Sequence, residues 1–334
     1  MPAKDFSAVR RRLLSWYKHN RRDLPWRKTT HPYAIWISET MLQQTQVKIV
    51  LPYYERFLNR FPTVEALARA PLDRVLHAWA GLGYYRRAAN LKTAARQIVR
   101  IYGRELPGDY TQLRALAGIG DYTAGAILSI AFGKNHPAID GNVTRVLGRF
   151  CATHSETKIR AAAAKLVAGN RPGDVNQALM ELGATLCTPK TTNCAACPLT
   201  RECRSRSRDS MISTRRVRRI SFTNVVWPLA IVRCRGKILL RRRTTGKLLV
   251  RLWELPAARA KTSATDCASC VESCSIFLSN HALFSASVKF AIASPTAASG
   301  RRSICSTLQD MGYPRETPGA GSYRRMQSTT QCPR

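Results

Sequence analysis

Two glycines followed by an aspartate set out the chemistry this 334-residue chain can carry. Gly118 and Gly120 lie in Leu116-Ala117-Gly118-Ile119-Gly120-Asp121-Tyr122-Thr123, and Asp140 follows in Ile139-Asp140-Gly141-Asn142-Val143. Two missing Cβ atoms in a tight turn let backbone N–H groups approach a phosphate. The helix expected to open at Thr123 adds a positively polarised end. Such a turn grips a DNA backbone without reading its bases, and an acid just beyond it is placed to attack or stabilise a sugar. Asp-Gly-Asn is equally an ordinary turn and N-cap sequence. A second carboxylate, Glu39, sits among Trp36, Ile37, Met41 and Leu42. Buried there it would hold a proton near neutrality; on an amphipathic helix it would simply face water.

Cys187, Cys194, Cys197 and Cys203 are spaced C-x6-C-x2-C-x5-C. Four thiols so close together read as one metal centre, and the spacing by itself is compatible with a [4Fe–4S] cluster or a structural zinc. Pro189 and Pro198 break helices, as a wrapping loop requires, and Arg201, Arg204, Arg206 and Arg208 decorate it. Cys151 and Cys234 read as isolated buried thiols.

A formal net charge of +34 implies a polyanionic partner. Residues 259–334 hold only nine of the 54 Lys and Arg, so the excess belongs to the part that reads as folded. A hydrophobic content of 45% argues against global disorder. No apolar run is long enough to span a bilayer. The start of the chain lacks a secretory leader, which points to a cytoplasmic, reducing compartment.

The elements that must position these residues are mostly helical over the first 200 positions. Phe6, Val9, Leu13, Leu14, Trp16 and Tyr17 mark an amphipathic first helix. Asn20 to Pro32 reads as a basic loop, and Trp36 to Leu51 as one helix stopped by Pro52. Further helices are expected around 53–60, 63–69, 72–80, 84–102, 111–116, 122–132, 142–151, 156–168 and 174–186. Residues 201–219, with eight arginines, read as a solvated basic linker or a phosphate-contacting strap. Val225–Val232 and Lys237–Leu240 are strand-like runs separated by Arg235-Gly236. Beyond Ala258 periodicity fades, and the remainder reads as poorly ordered.

Taken together, the chain resembles the helix-hairpin-helix DNA glycosylases, a superfamily that includes endonuclease III, and within it the MutY-type adenine DNA glycosylases. The resemblance covers about residues 6–205. It is carried by Leu24-Pro25-Trp26-Arg27, Pro32-Tyr33, Trp36 through Val47, Gly81-Leu82-Gly83-Tyr84-Tyr85, the glycine turn, Asp140 through Val143, Asn176 through Ala184 and the four cysteines. It implies a mainly α, helix-hairpin-helix glycosylase fold over 1–205. About 30–135 would form a six-helix module with the hairpin at 113–131, and 1–29 with 136–205 a cluster-bearing module. A basic linker at 206–222 and a small α+β MutT-like domain over 223–334 would follow, the latter recognisable only to about 258. The cysteine spacing is the superfamily's [4Fe–4S] signature, which favours that cluster over zinc.

The resemblance also implies roles. Glu39 becomes the general acid, aimed at adenine N7, and Asp140 the carboxylate that stabilises the sugar cation or forms a transient adduct. Asn142 would cap its helix and orient acids or water, and Tyr122 would hydrogen-bond Asp140 or the developing intermediate. Bifunctional relatives carry a lysine where Tyr122 stands, and some MutY proteins a lysine at Thr144. Neither amine is present for a Schiff base, so base removal without strand cleavage is expected. Gln44 and Tyr84 match intercalating positions, with Gln43 and Leu82 beside them. Trp26, Arg27, Leu42 and Glu181 match positions around the extruded adenine. The implied partner is double-stranded DNA bearing A opposite 8-oxoguanine or G, met by a monomer away from membranes. The rivals are an endonuclease III-like glycosylase/lyase and a catalytically impaired damage-binding protein.

The run from Leu239 to Arg243, Gly246 and Leu252-Trp253-Glu254-Leu255-Pro256 resembles the start of a MutT-like domain, without the clustered glutamates of a Nudix box. Arg251 and Ala257 depart from glycines usual there. Phe284-Ser285 echoes a Phe-Ser-His recognition element, but Ala286 replaces the histidine.

Overall fold

The computed structural model describes residues 5–206, together with 227–234, 237–238, 240–243, 253–255 and 287–293. The chain divides into two compact units, Met1–Val217 and Arg218–Arg334.

The first unit is helical, as expected. Its centre is α2 (Pro32–Leu42), buried at every residue from Tyr33 to Met41. A helix that is apolar on all sides belongs inside a protein, enclosed by others. It packs against α3 (Val47–Arg60), α6 (Arg86–Ile101) and α8 (Asp121–Ile130). The short helices α4 (Val64–Arg69), α5 (Leu72–Ala78) and α7 (Tyr110–Arg114) complete this group. A second core gathers α1 (Phe6–Asn20), α9 (Gly141–Cys151), α10 (Glu156–Val167) and α11 (Pro172–Thr185) around Val9, Leu13, Phe150, Leu166 and Leu179. Helix ends obey local chemistry. The side chains of Asp5, Thr63, Asp109 and Ser155 accept hydrogen bonds from backbone N–H groups in the first turns of α1, α4, α7 and α10.

Two expectations fail here. The helix foreseen over Trp36–Leu51 is two helices. α2 stops at Leu42, and α3 runs straight through Pro52. The break falls where Gln44 adopts a left-handed φ of 55° and where Arg87 takes the carbonyls of Thr40, Met41 and Gln43, which a continuing helix would use itself. Helix α8 also begins at Asp121, one or two residues before the starts foreseen at 122 and Thr123.

In the second unit β1 (Trp227–Cys234) pairs antiparallel with β2 (Lys237–Ile238), matching the two strand-like runs. β3 (Arg241–Arg242) pairs with β4 (Trp253–Glu254), held by Arg243 on Glu254 at 2.8 Å. The region read as poorly ordered nevertheless contributes β5 (Ser287–Ala293), which pairs with β1 from Trp227↔Ala293 to Arg233↔Ser287. Most of the foreseen linker, Arg251, Ala257 and Phe284–Ala286 lie outside the described residues. Among the described residues no helix is long and apolar enough to cross a membrane.

Candidate active site

The glycine turn joins α7 to α8. Gly118 has φ +78°, and a Cβ there would come within 2.7 Å of Asn90, so this position demands glycine. Gly120 has an ordinary backbone and forms the N-cap of α8, where a Cβ would meet open space. Tyr122, in the first turn of α8, is thereby directed at α2. Its hydroxyl donates a short hydrogen bond to Glu39 Oε2 and lies 3.8 Å from Met180 Sδ on α11. The partner is thus Glu39, where Asp140 or the developing intermediate was foreseen.

Glu39 is 4% exposed. Burial lifts its pKa to about 7; the Tyr122 hydrogen bond opposes that rise and the negative charge of Asp140 adds to it. Tyr122 is itself pushed well above the usual phenol range by burial and by the two nearby carboxylates. The site therefore pairs a carboxyl able to hold a proton at neutral pH with a phenol that stays protonated.

Asp140 is the N-cap of α9. Its Oδ1 accepts from Val143 N at 2.7 Å and its Oδ2 from Asn142 Nδ2 at 2.9 Å. The cap is Asp140 itself, so Asn142 does not cap the helix as foreseen. It instead bridges Asp140 to Arg145, whose Nη2 donates to Asn142 Oδ1 at 2.8 Å. Arg145 also donates to the carbonyls of Gly183 at 2.7 Å and Cys187 at 2.9 Å. One turn further along α9, Arg149 reaches Cys187 Sγ at 3.3 Å and Thr188 O at 2.8 Å. A continuous polar chain thus leads from Asp140 to the first cysteine.

The four cysteines lie close enough to influence one another electrostatically, and Cys187, Cys197 and Cys203 pack against the second core. Among the described residues no three His, Cys, Asp or Glu side chains converge tightly enough for a single metal ion. The donor set still fits a thiolate-bound group. Four soft sulfurs sit on one loop, and the Arg149 guanidinium donates to Cys187 Sγ, where it would compensate a metal-bound thiolate.

The remaining foreseen residues divide by exposure. Gln44 and Tyr84 stand at the surface, Tyr84 at 60% exposed, with left-handed φ values of 55° and 48°. Gln43 and Leu42 are half-buried behind them, and Gln43 Nε2 donates to Thr123 Oγ1 at 3.1 Å. Leu82 is buried. Trp26 is buried too, its ring edge-on to Tyr54 with centroids 5.3 Å apart. Glu181 is fully buried and clasped by Arg27 Nη2 at 2.6 Å and by Arg22 Nε and Nη2, both at 2.8 Å. Burial would raise its pKa, but the two arginines hold it at about 2. Sequence reasoning missed Arg22, Arg87, Arg145 and Arg149. On α6, Arg87 repeats at helical spacing with Leu91, Ala94 and Ile98, a buried-face signal that its basic neighbour Arg86 obscured.

Residues 37–169 match the HhH-GPD superfamily of base excision DNA repair proteins. The structure aligns with a thermostable thymine-DNA glycosylase at a TM-score of 0.57 and 28% identity, covering 60% of this chain and 96% of that one. Residues 37–169 thus share that superfamily's domain, and the first unit its mainly helical fold. Within the superfamily it is similar to the adenine DNA glycosylases. It is 45% identical over 220 residues to that of Homo sapiens, covering 61% of this chain and 40% of the relative. It is 42% identical over 199 residues to that of Buchnera aphidicola subsp. Baizongia pistaciae (strain Bp), covering 58% and 57%. The chain spans about half the length of these curated relatives.

Proposed function

We propose that this protein is a monofunctional DNA glycosylase that removes adenine mispaired with 8-oxoguanine or G, acting as a monomer on double-stranded DNA in the cytoplasm. The observation that carries this reading is the buried Glu39 carboxyl, protonated near neutrality and hydrogen-bonded by Tyr122, with the Asp140 carboxylate within its electrostatic reach. Glu39 gives its proton to adenine N7. The C1′–N9 bond then breaks with both electrons leaving on the base. Asp140 faces the resulting sugar cation until water adds at C1′, and the proton that water loses restores Glu39. Asn142 keeps Asp140 oriented, and Tyr122 keeps Glu39 aimed.

Extrusion of the base falls to Gln44 and Tyr84, backed by Gln43 and Leu82. Gly118 and Gly120 hold the strand by its phosphates. Trp26, Arg27, Leu42 and Glu181 form the surroundings of the extruded adenine. The four cysteines hold a [4Fe–4S] cluster, which when bound stiffens the basic loop between Cys187 and Cys203 against DNA. No lysine stands at position 122 or 144, which supports hydrolysis over lyase chemistry.

A single-turnover assay on a duplex with A opposite 8-oxoguanine tests the reading. Free adenine with an uncut strand is expected. A strand cut without alkali and a borohydride-trapped adduct would favour the endonuclease III-like alternative, and binding without release the impaired-sensor alternative. Iron and sulfide analysis separates the cluster from zinc.

A further inference from the structure

Arg87 is charged, only 8% exposed, and unused by the chemistry above. Its Nη1 donates to the carbonyls of Thr40 at 2.9 Å, Met41 at 2.7 Å and Gln43 at 2.6 Å. Its Nη2 reaches Thr45 Oγ1 at 3.0 Å and the carbonyls of Leu82 and Gly83, both at 3.3 Å. The guanidinium lies 5.2 Å from the Trp79 ring and 5.5 Å from that of Tyr84. These acceptors come from two segments far apart in sequence, and they flank two exposed residues with left-handed backbones, Gln44 and Tyr84. Such a conformation is costly for a residue with a side chain and persists only where its surroundings over-determine it. A planar fork of donors can hold both segments at once; the compact ammonium of a lysine cannot. Arg87 also lines, with Gln43, Asn90 and Gly118, a cavity of about 20 Å³, room for one water, that extends the arrangement toward the glycine turn.

On the glycosylase reading, we propose that Arg87 is a positioning residue for base extrusion: one guanidinium fixes the Gln44 and Tyr84 tips in the geometry that enters the duplex. Its work is done before the glycosidic bond breaks, so its loss is felt most where extrusion is hardest.

The test uses the full chain, Arg87→Lys and the milder Thr45→Val, which removes a single acceptor. Single-turnover rates are compared on A opposite 8-oxoguanine and on A opposite an abasic-site analogue, where less pairing must be broken. A 2-aminopurine beside the adenine reports extrusion, and melting of the free protein reports stability. Arg87→Lys is expected to slow the first duplex by about tenfold or more, to lose the fluorescence rise, and to stay within about threefold of wild type on the second. Thr45→Val should show the same pattern at smaller size with unchanged melting, and it decides alone where Arg87→Lys does not fold. Equal losses on both duplexes, or losses that only follow melting temperature, overturn the proposal. If the wild-type chain releases adenine from neither duplex, the glycosylase reading fails. The fluorescence rise then decides Arg87 independently: its loss in the variant supports the role, and its persistence refutes it.

Discussion

Glu39 and Glu181 are both buried carboxyls, yet their proton affinities shift in opposite directions. Burial lifts Glu39 to about 7 against the opposing Tyr122 hydrogen bond, whereas two guanidiniums hold Glu181 at about 2. The consequences for pH are therefore opposite in sign. Glu39 binds its proton more tightly folded than unfolded, so its contribution to stability is complete below the ordinary carboxylate range and is lost as pH rises through about 7. Glu181 contributes above that range and loses its contribution as pH falls toward about 2. If Glu39 is the acid, the single-turnover rate should decline as pH rises through about 7, measured as adenine release across a buffer series. Tyr122→Phe removes the hydrogen bond that lowers the Glu39 pKa, so that alkaline limb should move to higher pH. Glu39→Gln should abolish adenine release while duplex affinity, read by fluorescence anisotropy, stays largely intact; loss of both together would reject the assignment. Glu181→Gln leaves two cations facing a neutral amide, and a loss of about 3 kcal/mol is expected in denaturant melts.

At the level of elements, α9 carries the most. It presents Asp140 at its first turn and ties itself to the cysteine loop through Arg145 and Arg149. Asp140→Asn retains a good capping residue and should melt near wild type while losing adenine release, whereas Asp140→Ala should also cost about 1 kcal/mol in stability. On the proposal that the four cysteines hold a [4Fe–4S] cluster, Arg149→Leu should lower the iron and sulfide content of the purified protein. The sequence pattern revealed much of this frame. The apolar neighbours of Glu39 allowed its burial without deciding it against a solvent-facing position, and the resemblance set Tyr122 against Asp140 or the developing intermediate where the structure gives Glu39. What stayed hidden was tertiary. The end of α2 is set by a guanidinium more than forty residues away, not by Pro52, so no local rule could place it. Nothing singled out Arg145 and Arg149 among 54 Lys and Arg, because the Cys187 and Thr188 carbonyls that accept from them lie about forty residues downstream. The strand β5 escaped notice because it is specified by pairing with β1, not by its surroundings in sequence.

Across the whole molecule, a charge of +34 implies that association with any duplex is dominated by counterion release. Affinity should fall steeply with salt, each phosphate contact adding about 0.9 to the slope of log K against log salt, measured by titration at several ionic strengths. The second core carries a different consequence. Helix α1 buries Val9, Leu13 and Tyr17 in the second core, against α10 and α11, and the Tyr17 hydroxyl bonds Gln177, 160 residues later. During synthesis, at ribosomal speeds, this first helix waits roughly 10–30 s for the surface that will cover it. Until then its greasy stripe is open to chaperones and to other nascent chains, so yield from rapid overexpression should improve when translation is slowed by cooling.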